Sequence, residues 1–576
     1  MSGSALSPAM STARRRAFLP TLVLWLPPLL FLLIFYFTPL FSILGLAGEA
    51  LLREGLAAGL GARLWRPLRF TLWQAGLSTV LTLLVGLPGA YLFGRFTFPG
   101  KGWLRVLTTL PFILPTVVVA AGFNALIGPR GWLNVGLMQA LGLSEPPIRL
   151  MHSLGAILLA HVFYNTTIVL RVVGSAWGQL DPRLEQAARV LGASPWRALW
   201  EITLPLLRPA ILAATLLVFL FDFTSFGVIL LLGGPRFATL EVEIYLQALQ
   251  MLNLPLAGLL SVVQLACTLV FLLLYQRVAA QVNVPVTPRV RGEGLRAPHT
   301  PGERAFVVGM VGVLFVLLLL PMAALPLRSV ARLEAARGER GTVTPGLTLD
   351  YYRELFINRR GSYFYVPPIQ AARNSLLYAG ATMALALSLG GLTTAAMTRL
   401  RRPPRWLDPL LMLPLGTSAV TLGLGFIVVF NRPPLVARDF PLMIPIAHTL
   451  VALPFVVRTL QPALAAIPIH LRQAAAVLGA SPWRVWWEVD FPIVLRAVIV
   501  AAVFAFTASL GEFGATMFLV RPEYPTVPVA IYRFISQPGA LNYGQALAMS
   551  TILMVLCGLG VAVIERLRLP GWPQTW

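Results

Sequence analysis

LEQAARVLGASPWRALWE (residues 184–201) returns without gaps as LRQAAAVLGASPWRVWWE (residues 471–488), identical at 14 of 18 positions. The offset, 287, is close to half of the 576-residue chain, so the sequence reads as a tandem duplication. The same offset pairs His161 with His448, Arg171 with Arg458, and Phe226-Gly227 with Phe513-Gly514. Nearer the start of each half, Arg69 pairs with Arg373 and Gly76 with Gly380 at offset 304, which leaves the first half a longer loop around 129–149.

Around this repeat the composition is that of a membrane protein. Hydrophobic residues make up 57% and charged residues 12%, with mean hydropathy +0.77, well outside the range of soluble globular chains and of disordered ones. Apolar runs long enough to cross the hydrocarbon layer lie near 19–44, 69–94, 107–128, 150–172, 206–232 and 256–276. A second set lies near 305–328, 373–398, 407–430, 442–465, 493–519 and 544–565. Twelve helices are therefore expected, six per half, both halves in the same orientation. The first run follows Arg14, Arg15 and Arg16 but is longer than a signal-peptide core and carries Pro20, Pro27, Pro28 and Pro39, so it reads as a retained helix. The stretch 277–304, polar and rich in Pro and Gly, reads as a linker between halves 1–276 and 305–576.

The net charge is +23, and every basic residue but Lys101 is arginine. The arginines punctuate the apolar runs instead of forming one basic face, which speaks against nucleic-acid binding and for membrane flanks. Their bias across the loops favours both termini in the cytoplasm, although the outer segment 329–372 is itself arginine-rich. Within that segment TPGLTLDYYRELF suggests a short outer helix. Cys267 and Cys557 sit alone in apolar runs, so neither a disulfide framework nor a zinc site is expected.

The repeated stretch falls between the fourth and fifth spans of each half, in loops 181–205 and 467–492. Asp181-Pro182 is a helix start, Gly192 suits the residue after a helix end, and Ser194-Pro195 opens a second helix. In the second copy Pro468, Gly479 and Ser481-Pro482 take these places. Ala187-Ala188 and Ala474-Ala475 leave one helix face flat enough for close approach by another protein, with Leu184, Leu191, Leu471 and Leu478 beside them.

These loops resemble the EAA loop of the permease subunits of bacterial ABC importers: Gln-Ala-Ala, Gly three residues on, then Ile202-Thr203-Leu204-Pro205 after a further nine. The second copy ends Val489-Asp490-Phe491-Pro492. Gln186 and Gln473 stand where the family has Glu; Glu185 lies beside the first, whereas Arg472 lies beside the second. The resemblance implies an all-α polytopic membrane protein of the bacterial inner membrane, a tandem pseudo-dimer of two six-helix permease halves. It implies ATPase-coupling residues Glu185, Gln186, Ala187, Ala188, Gly192, Leu204 and Pro205 in one loop, and Gln473, Ala474, Ala475, Gly479 and Pro492 in the other. It further implies two copies of an ABC ATPase subunit, carrying ATP and Mg, and an external solute-binding protein. No cofactor is expected on this chain itself.

A phosphate-binding loop needs a lysine in Gly-x4-Gly-Lys-Ser/Thr, and Lys101-Gly102 cannot supply it. No catalytic residues or metal ligands are expected, and no protease or esterase signature is present. His161 and His448 read as packed, hydrogen-bonded histidines. Asp222 and Glu512 fall in the fifth span of their halves, where an acid costs at least about 2.5 kcal/mol in lipid. They are not repeat equivalents: Asp222 aligns with Ser509, and Glu512 with Ser225. The four residues are candidates either for lining a cation's translocation path or for interhelical hydrogen bonding.

Residues 231–249, 160–165 and 128–133 resemble the fused two-half permeases that import thiamine, and iron(III) importers are similar around the loops. Thiamine is the first expectation for the solute and iron(III) the second, followed by polyamine or phosphonate. A secondary transporter also has twelve spans in two parallel halves, but it has no use for two matched cytoplasmic coupling loops.

Overall fold

A computed structural model describes residues 23–54, 58–234, 236–282, 295–332, 346–357, 367–399, 407–432, 435–436 and 440–567. Arg14, Arg15, Arg16 and Pro20 lie outside the described residues, as do 283–294 of the linker and 333–345 and 358–366 of the outer segment. Among the described residues ten helices are long and apolar enough to cross a membrane, and two further pairs are bent spans, giving up to twelve.

In chain order the spans are α1 (Val23–Leu52), α2 (Gly61–Arg95), the bent α3 (Lys101–Ile113 with Thr116–Leu141), α4 (Leu154–Gln179), α5 (Pro195–Phe223) and α6 (Leu254–Gln281). The second half supplies α7 (Pro301–Ser329), α8 (Pro368–Thr398), the bent α9 (Leu410–Gly416 with Ala419–Val429), α10 (Met443–Ala465), α11 (Pro482–Gly511) and α12 (Ala540–Ile564). In the outer segment 329–372, Asp350–Arg353 forms the short helix expected there and continues as a 3-10 turn over Glu354–Phe356.

Four runs that read as continuous are broken. α3 bends by 112° because Leu114, held extended before Pro115, leaves the helix. α9 bends by 102° at Ser418, whose hydroxyl accepts the Thr421 N–H and starts a new helix. α5 stops at Phe223 and α11 at Gly511, each followed by a short helix, Gly227–Leu232 or Gly514–Leu519. At their other ends both begin earlier than hydrophobicity suggests. The second helix of each repeated loop runs through a π-helical turn, Leu199–Thr203 or Trp486–Asp490, directly into the span.

The duplication is visible in packing. In the first half a Cβ on Gly86 of α2 would stand 2.6 Å from the Val169 side chain of α4; in the second, a Cβ on Gly390 of α8 would stand 2.6 Å from Val456 of α10. Both repeats therefore seat a valine against bare glycine backbone, the close approach that small residues permit between membrane helices.

The chain packs as two compact units that do not follow the contiguous halves 1–276 and 305–576. Among the described residues, one unit joins those up to Gly45 with those between Ala372 and Tyr524; the other joins those between Leu46 and Ala371 with those from Pro525 onward. The first span of one half up to Gly45, and the whole of α7, thus belong to the unit that holds most of the other half. In the first unit Leu32 and Tyr36 of α1 are buried among Phe426, Phe430 and Leu450, and the Tyr36 hydroxyl is 2.7 Å from Thr417 Oγ1. In the second unit α7 passes α3 so closely that a Cβ on Gly122 would lie 2.8 Å from the Pro321 carbonyl oxygen.

Candidate functional site

Each repeated loop is a helix, a left-handed glycine and a second helix. Asp181 caps Pro182–Val190 by accepting the Arg183 N–H at 2.9 Å. Gly192 has φ +91° and Gly479 φ +82°, the conformation that ends a helix and that a side chain resists. Ser194 and Ser481 then cap the second helices, accepting from Arg197 N at 3.2 Å and Arg484 N at 3.3 Å. The two copies match in each of these features except the first cap, where Pro468 offers no side-chain acceptor.

The chain ahead of each glycine turns its apolar side chains outward. Val190 and Leu191 are 87% and 88% exposed, and Val477 and Leu478 are both 87% exposed. Trp196, Trp200, Trp483 and Trp487 extend the exposed apolar surface onto the second helices. Gln186, Ala187, Gln473 and Ala474 are exposed, Ala188 and Ala475 half-buried. Apolar patches of this kind mark protein contact sites. Leu204, half-buried, and Pro205 and Pro492, both exposed, lie at the feet of α5 and α11 beyond the π turns.

Glu185 turns back toward the bundle. Its carboxylate accepts from Arg95 Nη2 at 2.9 Å, fastening the loop helix to the end of α2, and Arg95 is almost wholly buried. The Glu185 carboxylate is thereby held within its own chain, one-third exposed, beside Gln186. The equivalent position in the second loop, Arg472, donates instead to Asp490 Oδ1 at 2.8 Å, at the foot of α11. The sign of the loop charge is reversed between copies and the anchoring is kept.

The intramembrane acids form two clusters with the repeated histidines. His161 Nε2 stands 2.9 Å from Ser225 Oγ and its Nδ1 3.2 Å from Asp222 Oδ1, while Asn165 donates to the same carboxylate oxygen at 2.7 Å. His448 Nδ1 stands 2.7 Å from Ser509 Oγ and its Nε2 3.1 Å from Glu512 Oε2. Acid and serine have changed places between the halves, yet each histidine, on α4 or α10, still meets one of each at the end of α5 or α11. Glu512 also accepts the Ala515 and Thr516 N–H groups at 2.9 and 3.1 Å, capping the short helix that follows the break. Asp222, His161 and His448 are 1–2% exposed and the Glu512 side chain 7%. Asp222, Ser225, Ser509 and Glu512 are each paired with the histidine of a neighbouring span, and Ser225 is half-buried. Among the described residues no group of three or more His, Cys, Asp or Glu stands close enough to hold a metal ion.

One repeated feature escapes a reading confined to the loops. Thr239-Leu-Glu-Val-Glu-Ile-Tyr245 and Thr526-Val-Pro-Val-Ala-Ile-Tyr532 are equivalent at offset 287, as are Gln250 and Gln537. The offset alone locates them.

The sequence profile of the family described as binding-protein-dependent transport system inner membrane component matches the chain twice, over residues 86–284 and 380–568. The thiamine transport system permease protein ThiP of Brucella abortus (strain 2308) is 29% identical over 543 residues, covering 90% of this chain and 92% of its own. The protein of the same name from Escherichia coli (strain K12) is 29% identical over 520 residues, covering 88% and 89%. A crystal structure of a bacterial ABC transporter involved in the import of the acidic polysaccharide alginate covers 48% of this chain and 100% of its own, at 20% identity and a TM-score of 0.38.

Proposed function

The chain belongs to the binding-protein-dependent transport system inner membrane components, and from that premise we propose that it is the fused permease of a thiamine ABC importer. The observation that carries the solute is the likeness to thiamine permeases over nine-tenths of the chain, with neither half left out.

In this reading the halves 1–276 and 305–576, joined by the linker 277–304, form the path, with both termini in the cytoplasm. The loops 181–205 and 467–492 each seat one copy of a separate ATPase, which binds ATP and Mg and supplies the power. The exposed Val190-Leu191 and Val477-Leu478 pairs enter an apolar groove on that subunit, and the left-handed glycines fix the angle of entry. Because the second helix of each loop is continuous with α5 or α11, a displacement of the loop is passed along the span as one rigid element. An external binding protein delivers the solute at the opposite face, and closure and reopening of the ATPase pair alternate the access of the path.

The test is uptake of labelled thiamine and, separately, ferric iron in a strain lacking the gene, with and without the restored chain. Loss and rescue confined to thiamine is the expected result; loss and rescue confined to iron would keep the machine and change its cargo. Uptake that survives depletion of the ATPase while a proton gradient remains would replace the machine itself with a secondary transporter.

A further inference from the structure

Between α5 and α6 the chain forms a short helix, Leu240–Tyr245, that continues through a π turn to Gln250; between α11 and α12 its repeat equivalent is Val527–Ile535. The Tyr245 hydroxyl is hydrogen-bonded to Tyr532 and to the side chain of Gln250. Tyr245 and Tyr532 are the same position of the repeat. When equivalent residues of two copies touch each other, the contact is self-complementary and straddles the two-fold axis that relates the two segments. In a transporter built from two parallel repeats, the solute passes at the interface of the repeats, along that axis.

The depth of the contact follows from its anchors. Leu240 N donates to Thr71 Oγ1 on α2, far from Arg95 at the other end of the same helix, which holds the coupling loop. The tyrosine contact therefore lies toward the membrane face remote from the coupling loops. It is closed: Tyr245 is 6% exposed, and its ring packs on Phe226 at 5.5 Å between centroids. Phe226 follows Ser225 at the break where α5 ends, and α5 begins in the coupling loop at Pro195. The span thus has its foot on the motor-facing loop, and the residue three beyond its far end packs on this tyrosine.

We propose that Tyr245 and Tyr532 are the outer gate of the solute path, shut by the bond between their hydroxyls and opened when movement of α5 draws Phe226, and with it Tyr245, off the axis. The gate rests on the reading of the chain as an importer permease and does not depend on which solute passes.

The experiment uses the whole importer in proteoliposomes, with Cys267→Ala and Cys557→Ala as background and Tyr245→Cys with Tyr532→Cys added. A bis-methanethiosulfonate reagent long enough to replace the two phenol rings bridges the cysteines through reducible disulfides, losing methanesulfinate at each end, and mass analysis verifies the bridge. Uptake lost on bridging and regained on reduction, with each single-cysteine variant unaffected by the reagent, is the expected result. Full uptake by the verified bridged protein overturns the proposal. If the cysteine pair does not assemble, Tyr245→Phe with Tyr532→Phe keeps both rings and removes only the hydroxyl bond; it is expected to raise ATP-independent efflux of preloaded solute, and efflux equal to that of the unmodified importer overturns the proposal. Uptake by the unmodified importer reads the solute assignment separately: if it carries iron(III) and not thiamine, the same bridging assay on iron still decides the gate.

Discussion

Asp222 and Glu512 occupy different positions of the repeat, yet each faces the equivalent histidine, His161 at 3.2 Å and His448 at 3.1 Å. What the duplication has preserved is the pairing of a histidine with an acid and a serine where the fifth span of each half breaks, and the two partners are free to trade places. A buried acid that loses its partner is costly, whereas replacing both members by apolar groups removes the cost.

His448→Leu is therefore expected to destabilise the protein by about 1–3 kcal/mol by removing one donor from Glu512, which keeps the Ala515 and Thr516 N–H groups, and His448→Leu with Glu512→Gln, which removes the charge and retains an acceptor for those groups, to cost less than the single change. Thermal unfolding of the purified complex in detergent across the double-mutant cycle checks this. Equal or greater loss in the double variant would show that the histidine does not answer the acid.

The pair of Arg95 and Glu185 joins a buried guanidinium to a one-third-exposed carboxylate. Glu185→Gln is expected to cost about 1–3 kcal/mol, by leaving the guanidinium short of its charged acceptor, and to lower uptake. Exchanging the two residues, Arg95→Glu with Glu185→Arg, should restore part of both quantities, because the second loop already works with the opposite sign at this position. Uptake and unfolding temperature, measured on the same preparations, are the readouts.

At Gly192 and Gly479 an added Cβ meets no atom within 4 Å, so any effect of substitution there is conformational. Valine should cost roughly 1–2 kcal/mol at each glycine and misdirect the loop. The double variant should insert in the membrane and fail to transport, with asparagine at the same positions milder than valine. Full uptake by the valine double variant would remove the glycines from the coupling geometry.

Leu191 and Leu478 are 88% and 87% exposed. Leu191→Asp with Leu478→Asp should leave the unfolding of the isolated chain within about 0.5 kcal/mol of its original value and release the ATPase. Co-purification of the ATPase with the tagged chain distinguishes this from a lipid-facing role, in which the ATPase would stay bound.

The number of spans and the repeat were legible because both are written in hydrophobicity and identity along the chain. The breaks were not, since Leu114-Pro115 and Ser418 interrupt runs whose mean hydropathy hardly changes. The departure of α1 from its own half was equally invisible: in lipid a helix that faces protein and one that faces acyl chains are both apolar. The repeated loops were readable in detail, down to Asp181, Gly192 and Ser194, because caps and left-handed turns demand particular residues. The bond of Glu185 to Arg95 was not legible, because the arginine is 90 residues away and carries no local mark. The histidine clusters needed two facts combined, the repeat offset and the distance between spans, and only the first is in the sequence.

The exchange of first spans reaches into the making of the protein. Tyr36 finds Thr417 across 381 residues, so a chain leaving the ribosome must hold α1 in the bilayer while most of the remaining protein is still being synthesised. During that interval the stretch of α1 up to Gly45 lacks most of the unit in which it packs, and a fragment ending in the linker at 277–304 would carry that stretch orphaned. The fused gene keeps both exchanged helices on one polypeptide, so the late-arriving partner is always supplied at the concentration of a tether, without a search through the membrane.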